Sequence, residues 1–162
     1  MKAVPGARWH TLDKLHITLA YFGDVPDYLA EELDATLARR PLPAMELCLD
    51  GVGHFGRAEP HQLHLKVADD PALTRAHARA RSVARSLGIE MEARAFRPHM
   101  TLAYLKPFPD LEKIAAWEQR HHETRIGPFL IDQIGLYSSH RQKRGPNRYD
   151  LEATYPLVGG GN

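Results

Sequence analysis

The sequence has 162 residues, 43% of them hydrophobic and 25% charged, which is the balance of a soluble globular protein and not of a disordered or fibrous chain. Its 21 lysines and arginines face 20 acidic residues, so a net charge of +1 selects no polyanionic partner by itself. One cysteine, Cys48, excludes an internal disulfide and a cysteine-rich zinc site. With no apolar run near the roughly 20 residues of a membrane helix, and no apolar signal-peptide centre in Met1 to Trp9, the expectation is a cytoplasmic protein.

The first predicted element is a strand over Lys14 to Phe22, where Ile17, Leu19 and Tyr21 alternate with polar residues. A helix follows from about Pro26 to Arg39, with Leu29, Leu33 and Leu37 at helical spacing. Alternation then predicts strands at Met45, Leu47, Leu49 and at Leu63, Leu65, Val67. The strongest helix begins at Asp70 as N-cap with Pro71 in its first turn, turns Leu73, Ala76, Ala80, Val83 and Leu87 inward, and stops at Gly88. Strands are expected at Ile89, Met91, Ala93 and over Arg97 to Leu105, then a helix from Asp110 to Arg120 built on Leu111, Ile114, Ala115 and Trp117. Two more strands, Phe129 to Leu136 and Tyr149 to Tyr155, complete an α+β order in which helices pack outside largely antiparallel sheets.

Within this order one segment occurs twice. Lys14-Leu15-His16-Ile17-Thr18-Leu19-Ala20-Tyr21-Phe22 recurs as Arg97-Pro98-His99-Met100-Thr101-Leu102-Ala103-Tyr104-Leu105, and both copies read His-x-Thr-Leu-Ala-Tyr. Strand geometry sets His16 beside Thr18, and His99 beside Thr101, on the face opposite the apolar residues. Most of the 10 histidines carry an ordinary structural reading, but a repeated imidazole and hydroxyl point to a shared site. One neutral imidazole takes a proton from water while a protonated one gives a proton to a leaving oxygen. Thr18 and Thr101 then suit the nonbridging oxygens of a phosphoryl group.

These motifs resemble the signature of the two-histidine phosphoesterase superfamily, and specifically of the bacterial RNA 2',3'-cyclic phosphodiesterases, also called 2'-5' RNA ligase-like proteins. Further matching segments run from Ala7 to Leu157: Ala7-Arg8-Trp9, Phe22-Gly23-Asp24-Val25, Leu49-Asp50-Gly51-Val52-Gly53-His54-Phe55-Gly56, Phe96-Arg97-Pro98-His99, Leu136-Tyr137-Ser138-Ser139, Gly145, Tyr149 and Tyr155-Pro156-Leu157. The resemblance implies a bilobal fold, two sheets with pseudo-twofold symmetry around a central cleft, the histidines facing each other across it, and neither metal nor other cofactor. It makes residues 1–158 one phosphoesterase domain, with 159–162 as a flexible tail. It assigns His16 as proton donor to the leaving 3'-oxygen and His99 as acceptor from the attacking water, with RNA ends bearing a 2',3'-cyclic phosphate as substrate and a 2'-phosphate as product. Reverse 2'-5' ligation is implied as a side activity. A noncatalytic RNA-end binder, or a related enzyme for another cyclic nucleotide or a 2'-5' linkage, is the alternative.

Two departures carry expectations of their own. The family opens with a strand and a helix upstream of the Trp9 equivalent, so this chain is expected to lack them and to leave a strand edge uncovered, where a partner chain could associate. A tryptophan common in the family is replaced by His64, which is expected at the surface. Weaker signals are a basic loop from His140 to Arg148, the arginines Arg75, Arg79, Arg81 and Arg85 as a solvated helix face, and Phe55, expected to pack beneath its loop in preference to stacking on a base. His61 and His64 point to opposite faces of one strand, and with His121 and His122 they lack the carboxylates that would complete a metal site.

Overall fold

The computed structural model describes residues 4–141 and 147–159. In chain order the elements are β1 (Arg8–Trp9), a 3-10 turn (Leu12–Lys14), α1 (Asp27–Ala38), β2 (Met45–Phe55), β3 (Gln62–Val67), α2 (Pro71–Ser86), β4 (His99–Tyr104), α3 (Leu111–His121), β5 (Arg125–Ile131), β6 (Gln133–His140) and β7 (Arg148–Pro156). They form an α+β fold with a five-stranded sheet, ordered β1-β4-β3-β2-β5, and a β6-β7 hairpin. Two compact units share the chain. One takes the residues up to Leu19, Leu47–Asp70 and Ala95–Phe129, and the other Ala20–Glu46, Pro71–Arg94 and the residues from Leu130 onward. Among the described residues no helix is long and apolar enough to cross a membrane.

In the first unit β1 pairs antiparallel with β4, β4 with β3, and β3 with β2. One face of this sheet is closed by α3. Asp110 caps that helix by accepting a hydrogen bond from the Lys113 amide at 3.1 Å, which satisfies one of the free amides of the first turn. Ile114 and Trp117 then turn inward, and the Trp117 ring meets that of Trp9 at 6.1 Å, while Glu118 accepts from His54 Nδ1 at 2.8 Å. A bulge in β2 brings the strand up to the helix end. Gly51 there has φ +75°, and a Cβ on it would lie 2.9 Å from the His122 carbonyl oxygen, so glycine is required on both counts.

A second irregularity shapes the opposite face. Leu63 pairs with Ala103 but the next residue, His64, pairs with Thr101, so Leu102 is an additional residue in β4. Directly opposed residues share a face. Tyr104, opposite Gln62, therefore joins His99 and Thr101 on the face away from α3, instead of the apolar face that simple alternation predicts.

In the second unit α1 and α2 pack together around Leu33, Val83, Ala84 and Ile89, with Leu29 and Leu136 against them. The inward residues Leu73, Ala76, Ala80 and Val83 of α2 are buried as their spacing predicts, while Arg75, Arg79 and Arg85 are exposed. Arg81 is half-buried and donates to the Glu92 carbonyl at 3.1 Å. Tyr155 of β7 donates its hydroxyl to Asp34 of α1 at 2.6 Å, and both burial and that carboxylate push the phenol up from its usual range.

Four segments differ from expectation. The first copy of the repeat is not a strand: Ile17 makes one antiparallel bridge to Met100, and no ladder continues from it among the described residues. Residues Ile89 to Ala93 alternate in sequence yet form no strand, because the Ile89 amide turns back to the Ala84 carbonyl at 2.9 Å and its side chain enters the helical core. The strand predicted over Phe129 to Leu136 is two strands, broken at Asp132, where the chain leaves the edge of β2 to pair with β7. The two-residue β1 is too short to have been read from alternation. The centre of the basic loop, residues 142–146, and the end of the expected tail, residues 160–162, lie outside the described residues.

Candidate active site

Both His-x-Thr motifs belong to the first unit. The second lies on β4, and the first touches β4 through one bridge, along the edge that β1 leaves free. Ile17 lies opposite Met100 in antiparallel sense, and that register carried one residue to either side sets His16 opposite Thr101 and Thr18 opposite His99. Because Ile17 and Met100 occupy one face, the two imidazoles and two hydroxyls share the other.

The imidazoles are anchored alike. His16 Nδ1 lies 2.8 Å from the Lys14 carbonyl oxygen, and His99 Nδ1 lies 2.8 Å from that of Arg97. A carbonyl oxygen only accepts, so each Nδ1 carries the hydrogen and the exchangeable lone pair of each ring is on Nε2. That nitrogen is a base when bare and an acid when protonated. His16 and Thr18 are exposed, whereas His99 and Thr101 are half-buried.

The neighbouring strands distinguish the two copies. Gln62 of β3 is buried and donates from Nε2 to Thr101 Oγ1 at 2.6 Å. His64 and Lys66 follow on the same face, opposite Thr101 and His99. The expectation that His64 lies at the surface is overturned: it is 5% exposed, with its ring 4.4 Å from Phe55 and 5.2 Å from His99. Bare β2 backbone makes room for it, since a Cβ on Gly53 would meet His64 Nε2 and Lys66 Cε, each at 3.0 Å. Burial, followed by the charges of His99, Lys66 and His54, lowers its pKa to about 4 and keeps the ring neutral.

Phe55 is half-buried and meets the His99 ring edge-on at 4.7 Å, 89° between planes, so its ring packs on the histidines. His10, which continues β1, contacts Tyr104 at 5.3 Å. Its pKa is lowered by burial first and then by the charges of His16 and Lys14. Sequence reading singled out His16, Thr18, His99 and Thr101; His99 and Thr101 lie on β4, and His16 and Thr18 flank the Ile17 bridge to it. It missed Gln62, Lys66, His10 and Tyr104, whose presence on this face depends on strand pairing and on the bulge at Leu102. Among the described residues no three His, Cys, Asp or Glu side chains are grouped to hold a metal ion.

Residues 2–143 match the family model described as the 2'-5' RNA ligase superfamily. The RNA 2',3'-cyclic phosphodiesterase of Thermotoga maritima is 28% identical over 151 residues, covering 90% of this chain and 78% of that protein. The protein of the same name from Geobacillus stearothermophilus is 29% identical over 97% of this chain, which spans 50% of its length. Among solved structures, E. coli LigT in complex with 3'-AMP superposes with a TM-score of 0.71 and 25% identity, covering 95% of this chain and 83% of LigT. With two His-x-Thr motifs joined by a bridge at their centres, and a family match that extends over most of its length, this chain belongs to the 2'-5' RNA ligase superfamily.

Proposed function

We propose that the protein hydrolyses RNA 2',3'-cyclic phosphate ends to 2'-phosphomonoesters, without a metal, using His16 as acid and His99 as base. The observation that carries this reading is the antiparallel bridge of Ile17 to Met100, which joins the centres of the two motifs, with each imidazole donating from Nδ1 to a backbone carbonyl. The division into acid and base follows the family resemblance. Water attacks phosphorus as His99 Nε2 takes its proton. The bond from phosphorus to the 3'-oxygen breaks, and the proton on His16 Nε2 passes to that oxygen, so the product bears a 3'-hydroxyl and a 2'-phosphate. Thr18 and Thr101 donate to the nonbridging oxygens, where charge grows in the transition state, and Lys66 adds positive charge on the same face. Reverse 2'-5' ligation follows the same proton path.

An oligonucleotide ending in a 2',3'-cyclic phosphate, incubated with the protein and a chelator, tests the reading. A 2'-phosphomonoester is expected. A 3'-phosphomonoester, no turnover, or activity that stops with chelator and returns with metal refutes it.

A further inference from the structure

Resting on the site just described, we infer that Gln62 is a positioning residue which fixes the polarity of the Thr101 hydroxyl, so that Thr101 meets a phosphoryl oxygen as a donor. A hydroxyl has one hydrogen and two lone pairs, whereas an amide nitrogen only donates. The 2.6 Å bond from Gln62 Nε2 therefore occupies a lone pair of Thr101 and leaves its hydrogen for another acceptor. Phosphoryl oxygens only accept. A threonine whose hydrogen was already drawn into the protein would turn lone pairs toward them and repel.

The arrangement is held in place by the fold. Gln62 is 8% exposed, and a buried amide that loses its partner is costly, which favours this one orientation. Its backbone lies opposite Tyr104, and the additional residue Leu102 brings Thr101 within diagonal reach of the side chain. β3 pairs with β4 and β2 only, so the device serves the second motif, while Thr18 stands exposed. Two threonines that are equal in sequence thus become unequal: one hydroxyl is preset and the other is oriented by what binds.

The test is a double-mutant cycle on kcat and KM with a 2',3'-cyclic phosphate oligonucleotide. Thr101→Val is expected to lower kcat by about 10- to 100-fold. Gln62→Glu supplies an acceptor in place of the donor, captures the Thr101 hydrogen, and is expected to lower kcat at least as much, with KM within about twofold. Gln62→Leu releases the hydroxyl without reversing it and is expected to cost about 3- to 10-fold. In the Thr101→Val background both Gln62 changes should shift kcat by less than about twofold, a result that a general packing role does not give. Equal losses in both backgrounds, or no change in kcat from either Gln62 variant, would overturn the inference. If Gln62→Glu does not fold, the Gln62→Leu pair decides on the same terms. If the unaltered protein does not hydrolyse the ester, or Thr101→Val retains full activity, the reading of the site fails and the inference with it; a failure confined to the Gln62 arms leaves that reading standing.

Discussion

Acidification is expected to destabilise the site-bearing unit through His64, and replacing this residue by phenylalanine is expected to remove that sensitivity. In the folded protein His64 has a pKa of about 4, against an ordinary 6.5. Below pH 6.5 the unfolded chain takes up a proton that the folded chain refuses, so stability falls as pH falls and levels off below about 4. The interval between those two values, at about 1.4 kcal/mol per pH unit, sets a ceiling of about 3 kcal/mol. His64 borders the polar sheet face, and screening by water there reduces the expected loss to about 2 kcal/mol.

The sequence's two tryptophans, Trp9 and Trp117, pack together in the same unit, so fluorescence reports on its unfolding. Urea titrations at intervals from pH 7.5 to 4 would give stability curves for the unaltered protein and for His64→Phe. His64 Nδ1 is buried with no hydrogen-bond partner among the described residues, so an apolar ring of similar shape is expected to be tolerated at neutral pH. The difference between the curves should grow in favour of the variant by about 2 kcal/mol between pH 6.5 and 4. Parallel curves would show that His64 is not held neutral in the folded state.

His16→Ala and His99→Ala are each expected to abolish most turnover, and the unaltered protein should lose activity on both sides of its pH optimum, because one imidazole must be protonated while the other is bare; pH–rate profiles check both points. Gly53→Ala places a methyl 3.0 Å from His64 Nε2 and Lys66 Cε, and the displaced His64 is expected to disturb His99 and lower kcat by about 10-fold. Tyr155→Phe removes the 2.6 Å bond to Asp34, and is expected to cost about 1–3 kcal/mol in denaturation followed by circular dichroism, with catalysis little changed.

Local patterns in the sequence were sufficient where the physics is local. The α2 helix announced itself through spacing and punctuation, because both effects act within a few residues. The repeat revealed His16, Thr18, His99 and Thr101 for a similar reason: a strand's alternation needs no knowledge of its neighbours. What pairs with a strand is a different matter. Segment Ile89 to Ala93 has the period of a strand but is drawn into a helical core, and the first His-x-Thr segment has the period with one bridge to sustain it. His64 resembled a surface histidine because polarity is a property of the residue, whereas its burial depends on Phe55 above and the absent side chain of Gly53 beside it.

The proposed reaction makes a chemical demand that two equal motifs cannot satisfy by themselves. Both imidazoles have the same Nδ1 anchor and a threonine two residues on, while the proposed hydrolysis needs one proton donor and one proton acceptor. The difference must come from their surroundings. β3 and β2 lie on the far side of β4 from the Ile17 bridge, so their side chains reach the second motif: Phe55 holds the His99 ring edge-on, neutral His64 stands beside it, and Gln62 binds Thr101. The first motif keeps His16 and Thr18 exposed. One copy is thereby partly shielded and the other open to water, and the sheet order that produces this difference supplies the asymmetry that the two proposed roles require.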